Sequence, residues 1–314
     1  MRPRPHRFGH AGWLVVLCGA LAAPVAWAAE RTFDRQFEAG PRAHLTVDAD
    51  VGSVTVQGRA GREVTVHAEA RGSETFLTRL ELTAQQSASG ITVRVRTAPL
   101  WRDWSGWWFW GFGAAGNRLQ LTIEVPRDCP LQLSTAGGRL EVRDVDAPVR
   151  GSTSGGSIFV ADVVGSVEMH TSGGGVHAEH LAGPVVLGTS GGAITVVNAS
   201  GDLEVHTSGG GILLENIDAR IRATTSGGSI RVEALANHGI SLGTSGGGVS
   251  LSLPARARAS IDAWTTGGRV RSELPLSRID IAEHSRLRGD VNGGGERVVL
   301  HTSGGSIKIG ELRR

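Results

Sequence analysis

The phrase Thr-Ser-Gly-Gly, followed by alternating apolar residues, recurs from the middle of this chain to its end. It starts at Thr153, Thr171, Thr189, Thr207, Thr225, Thr244 and Thr302, with variants at Thr135 (Thr-Ala-Gly-Gly) and Thr265 (Thr-Thr-Gly-Gly). From Thr135 to Thr225 the start-to-start spacing is 18 residues; it then drifts to 19 and 21. A fixed period of this length restricts the chain to a solenoid, in which each repeat is one coil stacked on the last.

One coil shows how. In Thr153 to His170, Ile158 and Val160 alternate with Ser157 and Phe159, and Val167 and Met169 alternate with Ser166 and Glu168. Period-two alternation predicts two short half-buried strands per coil, joined by turns at Ser-Gly-Gly and at Asp162 to Gly165. Down successive coils the first strand supplies Leu140, Ile158, Val176, Ile194, Ile212 and Ile230, and the second Val149, Val167, Val185, Leu203, Ile221 and Ile240. A mid-turn column adds Val145, Val163, Leu181, Ala199, Ile217 and Leu235. The columns between them change type, as in Glu141, Phe159, His177, Thr195, Leu213 and Arg231. One face is therefore selected for burial along the whole stack. The fold class expected is all-β, a single-stranded parallel β-helix of ~18-residue coils with a β-rich N-terminal cap. Gly-Gly fits a tight arc needing positive φ or close chain approach, and the preceding Thr, inward by parity, is expected to form a hydroxyl ladder.

The chain divides into four stretches. Residues 1–28 read as a secretory signal peptide: Arg2, Arg4 and Arg7, an apolar run from Trp13 to Ala23, and a cut after Ala28 in Ala26-Trp27-Ala28. The expected location is outside the cytoplasm, in the periplasm, cell envelope or cell surface. Residues 29–134 form a divergent β-rich start, in which Val51 to Val56 with Val64 to Val66 resembles one coil and Leu80 to Leu82 with Ile91 to Val95 suggests a hairpin. Regular coils occupy 135–253, and 254–314 hold irregular last coils and a C-terminal cap, where charged Glu311 to Arg314 would discourage further stacking. Without the signal, 32 − 3 = 29 Lys and Arg face 30 Asp and Glu, so no basic excess supports nucleic-acid binding. Cys129 is then alone and reads as a small apolar residue.

Candidate sites are few. Trp101, Trp104, Trp107, Trp108, Phe109, Trp110 and Phe112 put five Trp and two Phe into twelve residues, the insertion 101–112. Such a density marks a hydrophobic cap over the stack, a docking site for an envelope protein or membrane surface, or a platform for stacking a glycan. A second column, Asp144, Asp162, His180, Asn198 and Asn216, allows calcium or a sugar at one edge but fits turn formation better. His170 and His206 share a column two coils apart, and His177 and His180 lack a third ligand, so the histidines are not expected to assemble. No nucleophile elbow or phosphate loop surrounds the repeated serines. No catalytic residue, metal or cofactor is therefore expected, and oligomeric state is left open.

A signal peptide, the segment Val51-Gly-Ser-Val-Thr-Val56, a strand ending Ile123-Glu-Val-Pro126 and the repeated Thr-Ser-Gly-Gly phrase together resemble the putative-adhesin family of bacterial envelope proteins. The resemblance covers about 40–310. It implies a β-solenoid, an exported non-enzymatic binding or structural role, and no catalytic residues to transfer. The alternative is a carbohydrate-active β-helix enzyme, a polysaccharide lyase or hydrolase, which needs acids gathered on one flank.

Overall fold

The computed structural model describes residues 29–40, 43–87, 90–98 and 116–312. The signal segment and the Trp-rich insertion lie outside them. In chain order the N-terminal part holds β1 (Ala29–Glu38), β2 (His44–Ala49), β3 (Ser53–Arg59), β4 (Glu63–Gly72), α1 (Glu74–Arg79), β5 (Leu80–Gln86), β6 (Gly90–Thr97) and β7 (Arg118–Pro126). The repeat supplies β8 (Leu131–Thr135), β9 (Leu140–Val145), β10 (Val149–Thr153), β11 (Ile158–Val164), β12 (Val167–Thr171), β13 (Val176–Ala182), β14 (Val185–Thr189), β15 (Ile194–Thr207), β16 (Ile212–Thr225), β17 (Ile230–Ala234), β18 (Ile240–Thr244) and β19 (Val249–Leu253). The last stretch forms β20 (Ala259–Thr265), β21 (Val270–Ser272), β22 (Leu276–Ala282), β23 (Arg286–Val291), β24 (Arg297–Thr302) and β25 (Ile307–Glu311).

Apart from the six-residue α1, the described fold is β, mostly parallel, in a solenoid arrangement of repeats. Two ladders run along it. In the first, Val149 pairs with Leu131 on one side and Val167 on the other. In the second, Ile158 sits between Leu140 and Val176. Alternation decides burial: Val167, Met169 and Thr171 of β12 point inward, whereas Glu168 is exposed. The resulting core is one continuous apolar cluster from Leu45 to Ile309.

The repeated phrase acts through hydrogen bonds and close approach. From Thr153 on, each buried Thr hydroxyl of the phrase donates to the carbonyl of the second Gly in the neighbouring coil, as Thr189 does to Gly174 at 2.7 Å, and accepts from the N–H of its own second Gly, here Gly192 at 3.2 Å. The ladder thus joins hydroxyl to carbonyl, not hydroxyl to hydroxyl. Close approach rather than positive φ explains the second Gly: a side-chain carbon at Gly192 would lie 2.2 Å from the Gly174 oxygen, whereas one at Gly191 would be 3.3 Å from that of Gly173.

The other turn uses a different device. Asp144, Asp162, His180, Asn198 and Asn216 all adopt left-handed backbone, with φ of 57, 55, 51, 57 and 56°. Short Asp and Asn side chains tolerate that region at least cost among residues with a Cβ. The apolar mid-turn column was expected to continue at Leu235; instead Ala234 stands opposite Ile217, after a register shift, and Leu235 is half-buried. That coil reaches the column one residue early and has no left-handed residue to spend.

Both ends depart from chain order. At the N-terminal end β2 and β3 stack directly on β8 and β9, and β6 and β7 lie beyond them. β3 and β4 do not form successive halves of one coil: β4 turns back and runs antiparallel between β7 and β1. The expected hairpin forms as β5 and β6. α1, capped by the Ser73 hydroxyl, joins the outer strands of the two ladders and buries Phe76 and Leu77 against the core.

At the other end β24 and β25 lie between β18–β19 and β20–β21. The charged terminus was expected to end the stack. Glu311 instead pairs with Leu253, inside it, and the antiparallel hairpin β22–β23 follows β20. Thr302 and Thr265 obey the same donor rule in stack order, to Gly247 and Gly305.

Candidate binding surface

The residues that face outward from the first ladder, two to a strand, determine what a ligand would meet. One column runs Asp48, Ser134, Ser152, His170, Gly188, His206 and Thr224 on successive strands. Beside it lie the turn residues Ser154, Ser172 and Ser190. Small residues here leave a polar groove of about 470 Å³ along the stack, from Asp48 and Asp50 to His206. Hydroxyls and imidazoles dominate its walls.

The N-terminal end of this groove is charged. Arg96 Nη1 donates to Asp50 Oδ1 at 3.1 Å, its Nη2 bonds to Asp48, and the Thr97 N–H donates to the other Asp50 oxygen at 3.2 Å. The Arg96 hydrogen bond holds the Asp48 carboxyl below its ordinary value, against a smaller opposing effect of burial. Sequence alternation carries no sign of this trio, because Asp48 and Arg96 meet only when β6 stacks beside β2.

At the other end two of the histidines come into contact, which their separation by two coils does not suggest. His170, Gly188 and His206 are direct neighbours on β12, β14 and β15, and the two rings approach to 5.8 Å between centroids. Two rungs of parallel sheet would by themselves separate them by about 9.5 Å. Gly188 leaves the space into which they lean.

The other histidines take separate partners. His177 stacks on Phe159, centroids 5.5 Å apart, and bonds Glu179 at 2.5 Å, which lowers the Glu179 carboxyl pKa. Arg143 covers the opposite side of Phe159 at 4.3 Å. His180 lies 3.4 Å from Asp162 and 3.1 Å from Asn198, so these three members of the turn column pair with one another, while Asp144 bonds Gln57 and Arg127. Among the described residues, no group of three or more His, Cys, Asp or Glu is arranged to hold a metal.

Two further buried polar groups lie away from this groove. Cys129 is buried beside Ala43, and burial raises its thiol pKa to about 11, which suits a small apolar core residue. Asp262 faces outward by parity yet is buried, because the antiparallel β23 lies beside it: Arg288 bonds it at 2.6 Å, with Arg286 and Arg297 at 3.6 and 3.8 Å. The Trp-rich residues lie outside the described structure. Their flanks do not: the insertion leaves after Thr97 of β6 and returns before Arg118 of β7.

A sequence model of the Toastrack DUF4097 family matches residues 43–310. This chain belongs to that family. The matched Toastrack region takes in every strand from β2 to β24 and most of β25, including both rearranged ends. Its designation is that of a domain of unknown function, with no catalytic activity attached to it. A comparison with curated proteins finds no match. Solved structures similar to this Toastrack chain include one described as a "putative lipid binding protein" from Parabacteroides distasonis, at 14% identity, covering 90% of this chain and 97% of that one, with a TM-score of 0.43. Another, a "putative adhesin" from Parabacteroides merdae, has 8% identity, the same coverage and a TM-score of 0.39. A "putative adhesin" from Bacteroides fragilis has 12% identity, covers 89% and 97%, and has a TM-score of 0.32. Scores this low carry no argument about ligands.

Proposed function

We propose that this Toastrack protein is an exported, non-catalytic binding protein of the bacterial cell envelope, built as a rod of single-stranded β-helix with one coil per 18 residues. Contact with a partner is assigned to the Trp-rich segment 101–112. The observation that carries this reading is the division of labour at the N-terminal end. The core there is covered by α1, through Phe76 and Leu77, and by the antiparallel pair β1–β4. To the aromatic segment, inserted between β6 and β7, we assign the contact surface for an envelope protein, a membrane surface or a glycan, on the strength of its five Trp and two Phe.

Export is supported by the signal pattern of Arg2, Arg4 and Arg7, the apolar run from Trp13 to Ala23 and the small residues before the expected cut. A non-catalytic role is supported by outward columns whose residue type changes from coil to coil, such as Phe159, His177, Thr195 and Leu213. No helix among the described residues is long and apolar enough to cross a membrane.

The test replaces Trp107, Trp108 and Trp110 with Ser together. The expected result is an unchanged unfolding midpoint with lost binding to envelope fractions and to lipid vesicles or glycan arrays. A large fall in the midpoint would make the segment a cap, and turnover of a polysaccharide would favour the enzyme reading.

A further inference from the structure

The two histidines that converge over Gly188 belong to a repeated local sequence. β12 reads Val-Glu-Met-His-Thr over 167–171, and β15 contains Leu-Glu-Val-His-Thr over 203–207. Between them β14 reads Val-Val-Leu-Gly-Thr. Strand parity puts Glu168 and His170 on the outward face of one rung and Glu204 and His206 on the same face two rungs away. Val186 and Gly188 occupy the corresponding positions between.

Both rings close over the place a side chain at Gly188 would take. A side-chain carbon at Gly188 would stand 2.4 Å from His206 Cε1, 2.8 Å from His206 Nε2 and 2.8 Å from His170 Cδ2, the carbon bonded to that ring's Nε2. The space that Gly188 leaves is thus bordered by the Cε1–Nε2 edge of His206 and by Cδ2 of His170. Neither imidazole has a hydrogen-bond or ion-pair partner among the described residues beyond the contact with the other ring. Glu168 is engaged by Arg150 at 3.2 Å, whereas Glu204, two residues before His206 on the same face, is exposed.

We propose that His170 and His206 form a two-imidazole clamp for a first-row divalent metal ion, with water completing its shell. Imidazole is a preferred ligand of zinc, nickel and copper. The fold supplies preorganisation: the two rungs are held at fixed separation by Met169, Leu187 and Val205 in the core beneath. The clamp sits at one end of the serine-lined groove, open to solvent, and is independent of the aromatic segment.

Zinc chloride titrated into the full chain, followed by calorimetry and by imidazole NMR signals, tests the assignment. The expected result is one tight equivalent of zinc, with the His170 and His206 signals shifting first and those of His67 and His238 unmoved. His170→Ala or His206→Ala should each weaken that equivalent by on the order of a hundredfold, the loss expected when two linked contacts become one. Gly188→Ala keeps both imidazoles but wedges their edges apart; it should lose the same affinity while its metal-free unfolding midpoint stays that of the parent. Absence of a tight equivalent in the parent overturns the proposal. So does equal zinc binding by the parent and both histidine variants, which would assign the metal to other surface histidines.

Discussion

The Thr302 hydroxyl donates to the carbonyl of Gly247 across 2.7 Å of space and 55 residues of chain. That bond is the same one that joins Thr171 to Gly156 or Thr207 to Gly192 in consecutive coils. The last repeat of the chain therefore occupies an interior place in the stack, and the repeat before it, at Thr265, binds Gly305 on its far side.

Removal of residues 297–314 should accordingly detach more than a terminus. β21 has β25 as its ladder partner, and β20 loses β24. Hydrogen exchange should show 254–296 becoming labile while 131–225 keeps its protection, since edge exposure of the remaining β18 and β19 is local. Retained protection across 259–265 would mean that β20 can pair directly with β18, against this account.

The Thr-Ser-Gly-Gly device makes a graded prediction within one coil. Thr189→Val preserves shape but leaves the Gly174 carbonyl and the Gly192 N–H without their hydroxyl partner, at about 1–3 kcal/mol. Thr189→Ser retains both bonds and should cost less. Gly192→Ala drives a carbon against the Gly174 carbonyl and should cost about 1–3 kcal/mol or more, whereas Gly191→Ala should stay within about 1 kcal/mol. Denaturant unfolding midpoints order the four variants; equal effects of the two Gly changes would remove the close-approach explanation.

Acid should dissolve the Arg96 clamp. The folded Asp48 carboxyl titrates below 3.8, so the native state binds fewer protons there than the unfolded chain. Its contribution is present above the unfolded carboxylate value and is lost as pH falls through the lower folded one. Arg96→Gln should unfold at a lower temperature than the parent near neutral pH, and the difference should shrink below about pH 4. A difference independent of pH would assign Arg96 a packing role alone.

Much of the architecture was open to reading from the chain. The inward columns, the turn positions and the β5–β6 hairpin follow from alternation and from Gly, Asp and Asn at fixed places. The failures share a cause. Val64 to Val66 alternates as well in an antiparallel strand as in a coil, so β4 was placed in the wrong ladder. Leu235 lost its column to Ala234 because one residue fewer in an arc shifts what faces inward. The contact of His170 with His206 does not show in rung spacing, because it depends on the room that Gly188 leaves for both rings. The Trp-rich segment remains a reading of composition.

By itself the sequence determined a repeated coil, its buried face and its two turns, because each depends on residues within about one period of one another. Tertiary structure alone decided the order of rungs at both ends, the Asp48–Arg96–Asp50 trio and the meeting of two imidazoles over a glycine. Every repeat carries nearly the same hydrogen-bonding edge, so local pattern cannot say which repeat pairs with which; the packing of ends and the reach of individual side chains settle that.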